Sequence, residues 1–514
     1  MKKTMFSLLN YLFLLSILYT FYGALRSCLL DSSNIGDKIW NVMLILVFIC
    51  SITLCSKTIR SHILKKIARC IDIFKKNRTI ITQLLFCLTL VLQVIILYYI
   101  HVPIGWDVDA IHASVTELVK NSPDSIASIY LSKNPNNTLF FFLMYFISQI
   151  GTVFHQSLGY SWLYWQLINT IFMDIGFIFI FLAAKNLFNK NIAYLSFYLA
   201  FIPLALSPWL LVVYTDTIML LVVSLIFWVY SLVEKNQTKT LIAILGILIA
   251  ICYLLKPSSI VFLIAFIMIK LLVLLTTPGK IKIKKCGLII LLFCLPFTGT
   301  IKLFHMYEDH QKLIIINKDQ AKPWQHFVMM GLTGSGGFSE KDTQAIISIP
   351  TKKEKINYAN TKIIERLKNY GFAGYTKFLM KKHFNNTSRG DFGWGIDGGP
   401  QIYLQSTNPI QTFLRDTYYQ QGEKVKTVRF FMHFMWIITL IGLLLVTKKQ
   451  YNDDEYDTLL AIFKLTILGA FLYLLLFEGG RSRYLIQYLP TIYILSANGF
   501  FLHFQQTKAT TLNM

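Results

Sequence analysis

Long apolar runs separated by short polar breaks dominate this chain. Runs of near-spanning length occupy Met5 to Leu25, Trp40 to Ser56, Thr79 to His101, Trp162 to Ala183, Ile192 to Val212, Ile218 to Val233, Leu241 to Leu255, Ile260 to Leu275, Leu288 to Phe304, Val428 to Val446, Leu459 to Phe477 and Leu485 to Leu502. An α-helix needs about 20 apolar residues to cross a bilayer, so the pattern predicts an all-α polytopic membrane protein with about twelve transmembrane helices. Two long polar stretches interrupt it, at 102–161 and 305–427. One further apolar stretch, Thr138 to Phe154, lies inside the first of them.

Basic residues set the orientation. Eight Lys or Arg fall between Lys57 and Arg78, and smaller groups sit at Lys185 and Lys190, at Lys235 and Lys239, at Lys280, Lys282, Lys284 and Lys285, and at Lys448 and Lys449. With twelve crossings all of these, together with Lys2 and Lys3, share the cytoplasmic side, as the positive-inside bias demands. Counting Thr138 to Phe154 as a thirteenth crossing inverts everything downstream of it. That segment is therefore expected to lie in the interface or to re-enter. Both termini are then cytoplasmic, and the polar stretches 102–161 and 305–427 lie outside.

Composition supports the membrane reading: 55% of the 514 residues are hydrophobic, 15% are charged, and there are 40 Phe and 27 Tyr. The net charge of +23 comes from blocks between apolar runs and not from a continuous basic face, so it reports topology, and no nucleic-acid partner is expected. Met5 to Leu25 is longer than a signal-peptide core and lacks a small-x-small cleavage site, which makes it an uncleaved first span. The region from His305 to Thr427 contains no cysteine, and the cysteine spacing indicates neither a disulfide framework nor a metal site.

The candidate chemistry gathers on one side. Asp107 and Asp109 follow Trp106 immediately after an apolar run, where a carboxylate is costly unless it faces water, a partner or a substrate. The two share a face if the backbone is extended and diverge if it is helical. Either can act as a general base, and either can serve instead as a helix cap. Asp216 and Lys256 interrupt apolar stretches, as functional groups or as markers of span ends. The segment Glu478-Gly479-Gly480-Arg481-Ser482-Arg483-Tyr484 offers guanidinium forks suited to phosphate, or to anchoring helix ends at lipid headgroups. In the large loop, a glycine-rich run from Gly331 to Gly337 and a second around Trp394 and Asp397 are turn formers, the latter also a possible sugar platform. Lys353 to Tyr370 carries Ile356, Ile363, Ile364 and Leu367 at helical spacing, as in a helix lying on the membrane. Gln166, Asn169 and Asp174 fall within one span, where hydrogen bonding between helices is their ordinary use.

Trp106-Asp107, Asn134-Pro135-Asn136-Asn137, Asp216, Lys256-Pro257, and Glu478 with Arg481, Arg483, Tyr484 and Pro490 together resemble the C-type fold glycosyltransferases. These are multi-pass enzymes related to protein O-mannosyltransferases and the lipid A aminoarabinose transferase, with similar proteins in Gram-positive bacteria. The resemblance runs from about Ile80 onward. It implies a sugar donor on a polyprenyl phosphate, an Asp base in the first outer loop, and phosphate contacts from Lys256, Arg481 and Arg483. The family's acid pair is often adjacent, whereas here Val108 separates Asp107 from Asp109, and two spans precede the expected catalytic module.

The sequence thus divides into 1–78, two spans and a basic cytoplasmic loop; 79–304, a catalytic transmembrane module containing the first outer loop; 305–427, a large outer loop; and 428–514, the C-terminal spans and tail. The expected activity is transfer of a sugar from a polyprenyl-phosphate donor to a cell-envelope glycan, lipid or protein at the outer face of the cell membrane, with no cofactor. The expected catalytic residues are Asp107 and Asp109. Asn136, Asn137, Asp216, Lys256, Trp394, Asp397, Glu478, Arg481, Arg483 and Tyr484 are expected to bind substrate. The alternatives are a polysaccharide polymerase or ligase, which should depend on Arg389, and a flippase or transporter, for which the chain shows no convincing internal repeat.

Overall fold

A computed structural model of the chain describes residues 2–30, 57–121, 126–236, 238–276, 283–396, 404–448 and 455–512. The expected span Trp40 to Ser56 and the candidate Asp397 lie outside the described residues. Every regular element among the described residues is helical.

The transmembrane body is built from α1 (Lys2–Leu25), α2 (Lys57–Ile100), α6 (Trp162–Leu187), α7 (Lys190–Leu204), α8 (Thr215–Asn236), α9 (Lys239–Leu255), α10 (Val261–Thr276), α11 (Ile283–His310), α16 (Val425–Leu445), α17 (Glu455–Leu476) and α18 (Leu489–Leu512). The helices before α6 that do not belong to this body are α3 (Trp106–Val119), α4 (Ile126–Lys133) and α5 (Thr138–Phe154). The large loop supplies α12 (Trp324–Met330), α13 (Glu340–Ile347), α14 (Lys352–Thr387) and α15 (Pro409–Tyr418).

Polar contacts fix the sense of each crossing. Arg78 near the middle of α2 donates to Asn191 at the start of α7 (2.5 Å), and Gln93 further along donates to the carbonyl of Ala205 past the end of α7 (2.8 Å), so the two helices are parallel. Thr217 donates to Asn169 (2.7 Å) and Asn186 to Ser231 (3.1 Å), which makes α6 and α8 parallel. On α1, the carbonyl of Ala24 meets His433 (3.0 Å) while Asn10 donates to the carbonyl of Thr447 (2.9 Å), so α1 runs opposite to α16. Small residues allow the closest crossing, where Gly442 and Gly499 bring α16 and α18 together: a Cβ on Gly499 would overlap the carbonyl oxygen of Gly442. Close backbone approach of this kind is how helices gain packing energy in lipid, where burial alone supplies little.

Among the described residues ten helices are long and apolar enough to cross a membrane, and one of them is α5 with its preceding turn (Pro135–Phe154). Its placement argues otherwise. At one end Asn137 is tied through Tyr130 to Asp107 on the first turn of α3, and at the other the carbonyl of Tyr160 accepts from or faces His112 Nε2 at 3.1 Å. Asp107 and His112 are five residues apart on α3, roughly 8 Å at 1.5 Å per residue, so Asn137 and Tyr160, on either side of α5, are held close together along that helix. Moreover, Gln166 on the first turn of α6 donates to the carbonyl of Val102 just past α2 (2.8 Å). The chain leaves α2 and enters α6 on the same face, so α5 lies along that face, as the charge argument required. It buries Phe140, Phe141 and Met144 inward and exposes Phe146, Val153 and Phe154. The other nine, with the shorter α7 and α9, run between the two faces.

Two sequence readings change. The basic block from Lys57 to Arg78 is the helical beginning of α2 and not a loop. Only part of the stripe expected on Lys353 to Tyr370 faces protein: Ile363 packs with Tyr358 and Ala359 on Met329 and Ile346 in a small core of the large loop, whereas Ile364 and Leu367 are exposed. The α14 helix then breaks at Gly371, whose φ of 58° is costly for a side-chain-bearing residue.

Candidate functional site

The site begins with backbone strain. Gly105 is extended, and Trp106 follows with φ of 54°, a left-handed conformation that a bulky residue adopts only when its surroundings hold it there. The holders are visible: the Arg483 guanidinium lies 4.5 Å over the Trp106 ring, and Tyr214 meets that ring edge-on at 6.0 Å. The turn delivers Asp107 to the first turn of α3. Its side chain caps no backbone N–H. Instead Tyr130 donates to Asp107 Oδ1 (2.9 Å), and the Tyr214 hydroxyl lies 3.3 Å from Asp107 Oδ2 and equally far from Asn137 Oδ1. Asn137 in turn donates to the Tyr130 oxygen (2.6 Å). Burial, followed by the charge of Asp107, pushes both phenols well above their ordinary range, so both stay O–H donors toward the acid. Asp109, two residues on in a helix, points away and is exposed.

Cations arrive from the transmembrane body. Lys256 follows the last residue of α9, where Pro257 ends the helix and the negative end of its dipole favours an ammonium. Lys256 is hydrogen-bonded to Asp216, which is fully buried at the start of α8. Arg483 Nε lies 3.9 Å from the other Asp216 oxygen. A buried pair of this kind gains little stability over an apolar one, which makes it better evidence for chemistry than for folding. The Lys256 ammonium also sits 5.0 Å over the Tyr484 ring.

These groups line one cavity of about 340 Å³. Asp107, Asn136, Asn137 and Tyr214 form one wall, Lys256, Arg483 and Tyr484 another, and Lys322, Trp324, Phe327, Tyr473 and Glu478 close it from the large loop and the end of α17. Burial and the charge of Asp216 raise the Glu478 carboxyl above the usual range, against the pull of Lys256, Arg483 and Lys382. The glycine run of the large loop explains how Glu478 is held. Gly480 N–H donates to the carbonyl of Gly336 (2.5 Å), and Lys382 donates to that of Gly331 (2.9 Å). A Cβ on Gly336 would come within 2.7 Å of the Lys382 stem. The run is a close-packed clasp on the 478–480 turn.

Other expected residues stand elsewhere. Trp394 is enclosed, its indole donating to the carbonyl of Tyr418 (3.0 Å) and its ring edge-on to Trp209, so no sugar can reach it. The Arg481 guanidinium lies 5.6 Å over the Phe338 ring and does not line the cavity. Arg389 is bidentate to buried Asp391, which also accepts from Arg429 (2.9 Å). Gln166 and Asn169 bond the carbonyls of the turn before α8, and Asp174 accepts from Gln93 (3.0 Å), as expected of polar groups between helices. Tyr130, Lys322, Trp324 and Tyr473 went unrecognised in the sequence, where nothing local distinguishes them from neighbouring interface residues.

No curated protein and no solved structure matches the chain. A family model described as "conserved hypothetical integral membrane protein" matches residues 1–501, and the chain belongs to that family of multi-pass membrane proteins.

Proposed function

We propose that the protein is a glycosyltransferase that moves a sugar from a polyprenyl-phosphate donor to a hydroxyl of a cell-envelope acceptor. Asp107 removes the proton of the acceptor hydroxyl as its oxygen attacks the anomeric carbon. The bond from that carbon to the donor phosphate breaks, and the polyprenyl phosphate leaves with the electron pair, its charge met by Lys256 and Arg483. A direct displacement inverts the anomeric centre. Tyr130 and Tyr214 orient the base, and the raised Glu478 carboxyl is available as a hydrogen-bond partner for a sugar hydroxyl.

The observation that carries this reading is the convergence of Asp107 with Lys256 and Arg483, from distant parts of the chain, on one cavity at one face of the membrane body. The opposite face receives Lys2, Lys3, Lys185, Lys190, Lys235 and Lys448 at helix ends, and the positive-inside bias supports an extracytoplasmic cavity in the cell membrane. A ligase relying on Arg389 is less well supported, because that guanidinium is committed to Asp391.

The test is release of free polyprenyl phosphate from polyprenyl-phosphate sugars by purified, reconstituted protein. Asp107→Asn should reduce release by about 10²–10⁴-fold while leaving insertion and thermal stability intact. Full release by that variant, or none by the wild type with any polyprenyl-linked sugar, would sink the assignment.

A further inference from the structure

The cations of the cavity fall into two sets. Lys256 and Arg483 come from the transmembrane body and already face Asp216. Lys322 comes from the outer segment between α11 and α12 and faces no carboxylate at ion-pair distance. Its backbone N–H donates to the carbonyl of Lys133 (3.2 Å), and its ammonium donates to Asn134 Oδ1 (3.0 Å). Its other two N–H groups have no acceptor among the described residues.

We propose that Lys322 binds a second anionic group, a phosphate or carboxylate, and that this group belongs to the acceptor. The inference rests on the transferase reading above. A half-buried ammonium with two N–H groups unpaired is unfavourable until an acceptor arrives. Burial lowers its affinity for a proton, against the attraction of Asp107, with Lys133 adding a smaller push in the same direction as burial and Glu340 a smaller pull against it.

Assignment to the acceptor follows from the wall to which Lys322 is hydrogen-bonded. Asn134, its partner, continues through Pro135 and Asn136 to Asn137, which is bonded to Tyr130 and through it to Asp107. The base must touch the attacking hydroxyl, so an anion on this wall is carried by the molecule that supplies that hydroxyl. The donor phosphate belongs with Lys256 and Arg483, the cations of the transmembrane body. The acceptor is therefore an anionic glycan, polymer or lipid headgroup and not a neutral sugar.

Equilibrium binding to the reconstituted full chain tests this without any donor, using a dye-labelled oligosaccharide bearing one phosphate and its dephosphorylated counterpart. Wild type should bind the phosphorylated probe about tenfold or more tightly, with a preference that falls as salt rises. Lys322→Gln should abolish the preference, and Lys322→Arg should retain it, which controls for folding. Equal binding of the two probes by wild type, or a preference that survives in Lys322→Gln, overturns the proposal. Turnover adds a second arm: if Lys322→Gln raises KM only for a polyprenyl diphosphate donor, the anion is the donor's and the proposal fails. A uniform loss of kcat, with unchanged probe preference, would show Lys322 acting on Asp107 alone and would equally overturn it. Failure of all transfer alongside Lys322-dependent probe binding would count against the transferase reading and leave the anion site standing.

Discussion

Tyr130 Oη lies 2.9 Å from Asp107 Oδ1 and 2.6 Å from Asn137 Nδ2, so a single phenol joins the acid at the start of α3 to the turn that opens α5. Its hydroxyl donates to Asp107 and accepts from Asn137, which fixes the carboxylate in one rotamer facing the cavity. Hydrogen bonds to charged groups are worth about 1.5–3 kcal/mol. Tyr130→Phe should therefore slow transfer roughly tenfold to a hundredfold, chiefly in kcat. Steady-state release of polyprenyl phosphate checks this, and unaltered kinetics would mean that Asp107 is positioned by other groups.

The buried pair of Asp216 and Lys256 separates stability from chemistry. Removing one partner leaves an uncompensated buried charge, at a cost of about 3–5 kcal/mol. Asp216→Leu and Lys256→Met should each lower thermal stability markedly. The double variant should be less destabilised than the sum of the two, by up to about 3 kcal/mol of coupling, yet stay inactive. Additive losses in a melting assay would show that the two residues do not interact.

How far the sequence reaches depends on what kind of signal each residue carries. Membrane helices are local and periodic, so the candidate crossings were legible from apolar runs, whereas α5 is set apart from them only by the lysine blocks and by its contacts, its own length and composition being those of a span. Charges in greasy surroundings are conspicuous, which is why Asp107, Asp216, Lys256, Glu478 and Arg483 could be singled out. Tyr130, Lys322 and Trp324 were invisible because their significance comes only from which neighbours the fold brings to them. Trp394 misled for the opposite reason: an aromatic among glycines looks like a sugar platform, but those glycines make the tight turn that encloses it against Trp209. The Gly331 to Gly337 run was legible as turn-making, while its partner Lys382, about 50 residues away, was not.

Acid should loosen the cavity side of the molecule first. Burial lowers His112, His326 and His383 to about 4, each from an ordinary value near 6.5. In the unfolded chain these rings take up protons near pH 6.5, whereas in the folded protein they stay neutral, so the unfolded state binds more protons between those limits. Their contribution to stability is complete above about pH 6.5 and is lost as pH falls toward about 4. The apparent melting temperature should drop over that window, and His326→Phe should flatten the dependence. A melting temperature independent of pH from 7 to 4.5 would exclude this origin of acid sensitivity.

The placement of α5 gives the sharpest topological prediction. Asn136 and Gln156 lie at opposite ends of the helix, and both are exposed. If α5 crossed the bilayer, they would lie on different sides, and every crossing from α6 onward would reverse its sense relative to α2. The contact of Gln166 with the Val102 carbonyl leaves no room for that reversal, because it holds the start of α6 against the end of α2. In a variant with the eight native cysteines replaced, single cysteines at 136 and 156 should both react with an impermeant maleimide added from one side, the side that also labels a cysteine at Glu478. Labelling of 136 and 156 from opposite sides would put Tyr214 and Arg483 across the membrane from Asp107 and dissolve the cavity that joins them.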